Sequence, residues 1–424
     1  MIHSKKGIWK MANLAILGGP RCVPENQTLP VRPWPPRNEE TAEKLKELYL
    51  SGQWSFNSPK EQEFENAFAR YHGAKYGVFM ANGTTTLECS LAALGVGPGD
   101  EVIVPALTWM ATALAAYYVG ATPVIVDIDP ATLCIDPAKI EAAITPKTKA
   151  IIPVHVYGST ADLEKILDIA NRHGIPVIED CAHMQGGFWN GRGVGSWGAV
   201  GSFSFQQSKT MASGEGGICI TNDEKLAEKI YLLKHIGYVR GIKQGQAIRA
   251  PEGLICHNYR ATAFQALILL EQLKELPQII RTYGEHARLL TDMLQDVPGV
   301  RIQSPGRLAD PQGYYSLHFI FDGEQFAGID KKTINDACTA EGFSIGNGTH
   351  GPVYRHALFN LTPGQFRFAE GNSCPVCEKI FAKTLGVSHQ VLTYRETVVK
   401  MGEIVRKVAS NPDELRQYQA GQKS

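Results

Sequence analysis

Apolar and polar positions follow one recurring order along much of this chain. A short apolar run is followed by a turn rich in Gly, Asn, Thr or Asp, then by a stretch with apolar residues every three or four positions. The rhythm starts at residue 76. The run 76–80 reads as a strand, and Asn82-Gly83-Thr84 leads into a helical pattern that reaches Leu94. Strands are expected at 102–104, 124–127, 150–154, 177–179, 199–205 and 217–221. Helices are expected between them: 108–118, a segment opened by Asp136-Pro137 and running to 144, and one capped by Thr160 and ended by Gly174. Upstream, 38–50 and 61–71 are amphipathic at helical spacing.

Strands alternating with helices of this length predict an α/β domain with a mostly parallel sheet flanked by helices. Before it, residues 1–37 read as an arm, with Gly18-Gly19-Pro20 and several prolines around Trp34. The large α/β domain is expected over 38–297. Within it, residues 236–258 form a long loop in which Gly237, Gly241, Gly245 and Gly253 mix with Arg240, Lys243 and Arg249. Long loops in compact domains are usually functional. Helices follow over 260–297. From 298 to 424 the pattern changes to short strands, as at 314–321, and helices, which predicts a smaller α+β domain; the polar tail after Ser410 is expected to fray.

Composition narrows the function classes. The 424 residues exceed what one compact core usually serves. Lys plus Arg number 42, as do Asp plus Glu, so bulk charge builds no nucleic-acid or membrane surface. The longest uncharged stretch, 102–126, is interrupted by Pro105 and Gly120 and reads as buried core, not a membrane span. The run 14–17 is too short for a signal sequence, and Met11 offers an alternative start. Nine scattered cysteines do not form a disulfide framework, which points to a reducing, cytoplasmic setting. Cys374-Pro-Val-Cys377 lacks a second ligand pair, so it is expected to be a packing pair at a helix start and no metal site is assigned.

Open α/β sheets bind ligands beyond the carboxyl ends of their strands. Four segments sit there. Ala81-Asn82-Gly83-Thr84-Thr85-Thr86 joins a strand to a helix, where free amides and hydroxyls suit an anion; alone it is equally a common Ser/Thr cap. Asp180 ends the apolar run in Glu179-Asp180-Cys181-Ala182-His183, and a buried carboxylate there needs a cation; alone it reads as a cap. Lys209 lies between an apolar strand and the turn Gly214-Glu215-Gly216-Gly217, a frame that can shield an amine and lower its pKa, although a lone Lys is usually a solvated surface residue. His257-Asn258-Tyr259-Arg260 closes the glycine loop and opens a helix.

Taken in order with Pro105-Ala-Leu-Thr-Trp109, Val126-Asp127 and Phe203-Ser204-Phe205, these segments resemble the sugar aminotransferases of the DegT/StrS family over residues 12 to 408. The resemblance implies a pyridoxal-phosphate (PLP) transferase of fold type I. It implies that Lys209 forms the Schiff base and shuttles the proton, and that Asp180 pairs with the ring nitrogen. His183 would contact the phenolic oxygen, while Trp109 and Ala182 cover the two ring faces. Gly83, Thr84, Thr85 and Ser204 would hold the phosphate, with Gln206 also at the cofactor. Asn258 would reach the cofactor of a neighbouring subunit, which implies a homodimer with shared sites.

Gln206 stands where many sugar-nucleotide members carry His. Together with Leu14-Ala-Ile-Leu-Gly-Gly-Pro20 and the Gln206-x-x-Lys209 arrangement, it makes the chain more similar to cyclitol (scyllo-inosose-type) aminotransferases and to aminohydroxybenzoate synthase. Those relatives imply L-glutamine or L-glutamate as donor and a keto-sugar or keto-cyclitol as acceptor. Arg260, His350, Tyr354 and His389 are the candidates for substrate contacts, each with a structural role as the alternative. Sugar dehydratases of the family replace the Lys by His, which is not the case at 209, but a synthase-like dehydration keeps it. A regulatory protein with a decayed site would have lost Asp180, Lys209 or Ser204, and all are present. A dinucleotide oxidoreductase needs a third glycine after Gly193-Val-Gly195 and a strand-to-helix context, and neither is there.

Overall fold

The computed structural model describes residues 12–243, 245–246, 252–346 and 350–422; Met11 and Arg249 lie outside them. In chain order the strands are β1 (Tyr76–Met80), β2 (Glu101–Pro105), β3 (Thr122–Val126), β4 (Thr148–Ile151), β5 (Ile178–Asp180), the hairpin β6 (Phe188–Trp189) and β7 (Arg192–Gly193), β8 (Val200–Ser204), β9 (Gly217–Thr221), β10 (Val300–Ile302), β11 (Ser316–Phe321), β12 (Arg367–Phe368) and β13 (Thr384–Ser388). One half of the central sheet has the order β1-β9-β8-β5 and the other β12-β3-β2-β4. Parallel bridges from Ile151 to Val177 and from Val154 to Asp180 join the halves between β4 and β5. The strands β12, β3, β2 and β4 are parallel, as are β5 and β8, whereas β9 runs antiparallel between β8 and β1. Their side chains are almost entirely buried, as expected for a sheet covered on both faces.

The covering helices start where local chemistry places them. In α1 (Glu39–Ser51) the Asn38 side chain accepts from the Thr41 amide, and α2 (Pro59–Tyr71) opens on Ser58 and Pro59. Between the strands lie α3 (Gly83–Ala93), α4 (Ala111–Tyr118), α5 (Pro137–Ala143) and α6 (Leu163–His173), followed by α7 (Glu224–Lys234) and the long α8 (Ala263–Leu294). Asp136 caps α5, and Gly174 ends α6 in the left-handed region, as read from the chain. The N-cap of α6 is Asp162 rather than Thr160, whose amide instead bonds to the Pro305 carbonyl.

A second core gathers Tyr283, Leu290 and Leu294 of α8 with β11, α9 (Lys331–Glu341), β13 and α11 (Arg395–Ala409). The described part of the arm packs into this core through Leu14, Val23 and Leu29. Two carboxylates hold it. Glu341 accepts from the Ala15 and Cys22 amides, and Glu414 accepts from those of Asn13 and Leu14. The tail after Ser410 is therefore not frayed: it forms α12 (Pro412–Gly421), which delivers Glu414 and buries Leu415. Conversely, Val353, Phe359, Cys374, Cys377 and Ile380 join the core of the central sheet, although they lie beyond the expected boundary at 298. The reason is β12, which adds to the edge of the sheet beside β3. The Cys pair opens α10 (Pro375–Phe381), and Asp127 from the end of β3 accepts from the Val376 and Cys377 amides. All nine cysteines are free. No described helix is long and apolar enough to cross a membrane.

Candidate active site

Beyond the carboxyl ends of β1, β5 and β8 lies a cavity of about 550 Å³ lined by Asn82, Gly83, Thr84, Thr108, Trp109, Thr112, Asp180, Ala182, His183, Ser204, Gln206, Ser208, Lys209, Glu215, Tyr315 and His350, among others. A larger cleft of about 810 Å³ at α6 and residues 304–307 holds none of these groups.

One end of the cavity is built for an anion. The Asn82 carboxamide caps α3 by accepting from the Thr85 amide at 2.9 Å. The amides of Gly83 and Thr84, in the first turn, have no acceptor within the helix and carry the positive end of its dipole. Ser204 of β8 closes against this turn. A Cβ on Gly83 would stand 2.7 Å from the Ser204 Cβ, and one on Gly217 would stand 2.5 Å from the Asn82 carbonyl, so only glycines allow the approach. Thr85 faces away: its amide and hydroxyl are both engaged by Asn82, and it does not line the cavity.

At the opposite functional pole, Asp180 is buried at the end of β5. It accepts from the Thr112 hydroxyl at 2.8 Å and from the Ala182 amide at 3.1 Å. Since the Thr112 proton goes to Asp180, Thr108 donates to Thr112 at 2.7 Å. Burial raises the Asp180 pKa above the ordinary carboxylate value, against those hydrogen bonds and the attraction of Lys209. Such a carboxylate gains from a cation placed against it. His183 accepts from the Tyr157 amide through Nδ1 at 3.0 Å, and burial holds its pKa well down. The neutral ring therefore keeps its proton on Nε2, as a donor.

Lys209 follows β8 in a turn tied by Phe205 N–H to Gly216 O and Gln207 N–H to Gly214 O. Enclosure lowers its pKa to about 8, with Asp180 pulling the other way. At neutral pH a usable fraction is then the free, nucleophilic amine. Its Nζ sits 4.4 Å from the centre of the Tyr315 ring, which in turn stacks on His183 at 4.1 Å. Gln206 folds back, its Oε1 accepting from the Ser208 amide and hydroxyl. Trp109 stands 45% exposed at the cavity wall, with its ring 5.3 Å from that of His350.

The structure thus brings Gly83, Thr84, Trp109, Asp180, Ala182, His183, Ser204, Gln206, Lys209 and His350 together. Besides Thr85, four expected substrate or cofactor residues lie elsewhere. Asn258 is exposed, bridged to His235. Arg260 lies 5.5 Å from the Phe56 ring. Tyr354 donates to Glu378 and accepts from the Cys374 amide, which fixes α10. His389 is buried between Tyr283 and the Ser208 carbonyl. Residues not singled out from the chain are Thr112, Ser208, Glu215 and Tyr315. Of these only Thr112 had a readable signal, a helical-turn spacing from Thr108 within the Pro105–Trp109 motif.

A parallel α/β sheet with an anion cradle at one helix start, a buried Asp and an enclosed Lys of lowered pKa defines a fold-type-I transferase. Residues 35–406 match the DegT/DnrJ/EryC1/StrS aminotransferase family, and the chain belongs to it. It is therefore an aminotransferase of a PLP-dependent family. The L-glutamine:2-deoxy-scyllo-inosose aminotransferase of Streptoalloteichus tenebrarius is 37% identical over 92% of this chain and 97% of its own length. The L-glutamine:scyllo-inosose aminotransferase of Streptomyces griseus is 36% identical over 95% of this chain and 99% of its own. Among solved structures, 3-amino-5-hydroxybenzoic acid synthase superposes with a TM-score of 0.81 at 30% identity, covering 91% of this chain and all of that one.

Proposed function

We propose that this chain holds pyridoxal phosphate on Lys209 and moves an amino group from L-glutamine, or L-glutamate, to a keto-sugar or keto-cyclitol in two half-reactions, as in aminocyclitol biosynthesis. The observation that carries the reading is the convergence of Lys209, Asp180 and the α3 anion cradle on one cavity. The residues fit the cofactor. A phosphate suits the Gly83 and Thr84 amides and the Ser204 hydroxyl, a pyridinium suits Asp180, and an aldehyde suits Lys209.

When bound, the cofactor supplies an electron sink for the pair released as the C–H bond beside the nitrogen breaks. Lys209 Nζ, freed when the donor amine arrives, takes that proton and returns it at the neighbouring carbon. Asp180, itself held by Thr112 and Ala182, would keep the ring nitrogen charged. The His183 Nε2–H, left free by the Tyr157 amide at Nδ1, would donate to the phenolic oxygen. Trp109 and Ala182, both on the cavity wall, would cover the two faces of the ring.

Among the described lining residues Lys209 is the single cation, and Ser208, Gln206, Glu215 and His350 supply neutral or acceptor groups. That lining suits an uncharged polyhydroxy ring. The relatives named as glutamine:scyllo-inosose aminotransferases support the same acceptor class. Asn258, exposed outside its own cavity, is in this reading offered to the cofactor phosphate of a second copy in a homodimer.

The test is to load the protein with amine from L-glutamine, remove the donor, and offer scyllo-inosose, 2-deoxy-scyllo-inosose or a nucleotide-linked keto-sugar. A free keto-cyclitol is expected to restore the starting visible spectrum and leave as its amine. Restoration by the nucleotide-linked sugar alone would replace the acceptor. A second reading, ring dehydration and aromatisation, draws on the synthase structure. It predicts an aromatic product with no amine transferred.

A further inference from the structure

The turn that carries Lys209 is gripped by elements that belong to neither its strand nor its helices. Three successive carbonyls precede the lysine. That of Gln206 accepts from the Lys209 amide at 2.8 Å. That of Gln207 accepts from the indole Nε1–H of Trp34, on the N-terminal arm, at 2.7 Å. That of Ser208 lies 3.3 Å from Nε2 of His389, which follows β13 in the second core.

The two outside donors form one unit. The rings of Trp34 and His389 meet edge to face, with centres 4.5 Å apart and planes at 83°. A carbonyl only accepts, so Nε2 of His389 carries the proton. Nδ1 then accepts, and the Tyr283 hydroxyl of α8 donates to it at 3.3 Å. Burial holds His389 down to about 4, so this neutral tautomer persists across the working pH range. The arm is pinned beside the pair by the Arg32 amide to Gln390 O and the Thr397 hydroxyl to Pro30 O. From the other side, the Ser208 hydroxyl meets the Tyr315 hydroxyl at 3.1 Å.

We infer that Trp34 and His389 are positioning residues that fix the turn of Lys209, so that its amine meets the reacting carbon in one orientation. The inference rests on the role of Lys209 proposed above. Neither ring lines the cavity, so neither contacts substrate. Their loss lets the 207–208 peptide rotate and moves Nζ without emptying the pocket. A misplacement of the order of an ångström costs rate rather than binding.

The experiment uses the PLP-loaded protein and three variants. Trp34→Phe removes the N–H and keeps a ring, His389→Phe does the same at the other donor, and His389→Gln keeps an N–H within reach. Trp34→Phe and His389→Phe are each expected to lower kcat roughly tenfold with KM for L-glutamine held within about twofold. The pH midpoint of the visible cofactor band should move in both, because the lysine nitrogen no longer sits at its fixed distance from Asp180. His389→Gln should recover most of the rate and the midpoint. The double variant should lose less than the product of the single losses, since both donors act on one turn. Unchanged kcat and midpoint in Trp34→Phe would overturn the inference. So would a loss that only tracks the folded fraction, with no midpoint shift and no recovery in His389→Gln. Absence of the band in the unaltered protein would sink the Lys209 reading as well; a normal band with indifferent variants sinks the inference alone.

Discussion

Lys209→Ala is expected to abolish turnover, with a loss on the order of 10⁴-fold or more, because in the proposed mechanism it removes both the amine that anchors the cofactor and the base that moves the proton. The folded protein should persist, since the Lys209 side chain makes a cavity-wall contact to Tyr315 rather than a core contact. Added PLP should still be retained without the covalent link, held by the Gly83 and Thr84 amides and by Asp180. Lys209→Arg sharpens the test. It keeps a positive charge but cannot release a proton near neutral pH, so it should be as inactive as the alanine variant. The Lys209 pKa of about 8 carries a pH prediction with it. The amine is protonated below that value and free above it, so reaction of cofactor-free protein with added PLP should accelerate as pH rises through about 8 and then level off. Normal turnover in either variant, measured as keto acid released from L-glutamine or L-glutamate, would remove Lys209 from the chemistry.

Asp180→Asn is the second large effect. The substitution is nearly isosteric; the single amide oxygen can keep the bond from the Ala182 N–H, while the NH2 that replaces the other oxygen turns the Thr112 hydroxyl from donor to acceptor. What it loses is the charge that the proposed mechanism sets against the ring nitrogen. Leaving a buried cation without its partner costs about 3–5 kcal/mol, which corresponds to roughly a hundred- to several-thousand-fold in rate if the ring stays protonated. If it does not, the electron sink weakens and the rate falls by the same route. Cofactor affinity should fall much less, because the phosphate cradle is untouched. The measurement is kcat beside the PLP dissociation constant; an unchanged kcat would take that role from Asp180.

The contrast between what the chain disclosed and what it hid follows from range. The strands and helix caps are local: Asp136-Pro137, Asn82-Gly83 and Gly174 each act within a turn, and each does so in the structure. The ordered motifs placed Asp180, His183, Ser204 and Lys209, which then converge on one cavity. Tyr315 was not legible, because its value lies in meeting Lys209 and His183, each more than a hundred positions away. His389 and Tyr354 looked alike as polar residues in the C-terminal region. Position separates them from His350: of the three only His350 lines the cavity, whereas the others satisfy backbone groups of the Lys209 turn and of α10. The tail misled for a related reason. Its polar composition reads as solvated, yet Glu414 is the partner of two arm amides some 400 positions upstream.

The most direct test of the central claim is an absorbance spectrum of the purified protein with PLP, taken before and after L-glutamine is added. Lys209 joined to the cofactor predicts a visible band that disappears as the donor surrenders its amine, with stoichiometric release of the keto acid. L-Glutamate in a parallel cuvette decides the donor. A protein that shows no such band even with excess PLP would contradict the account.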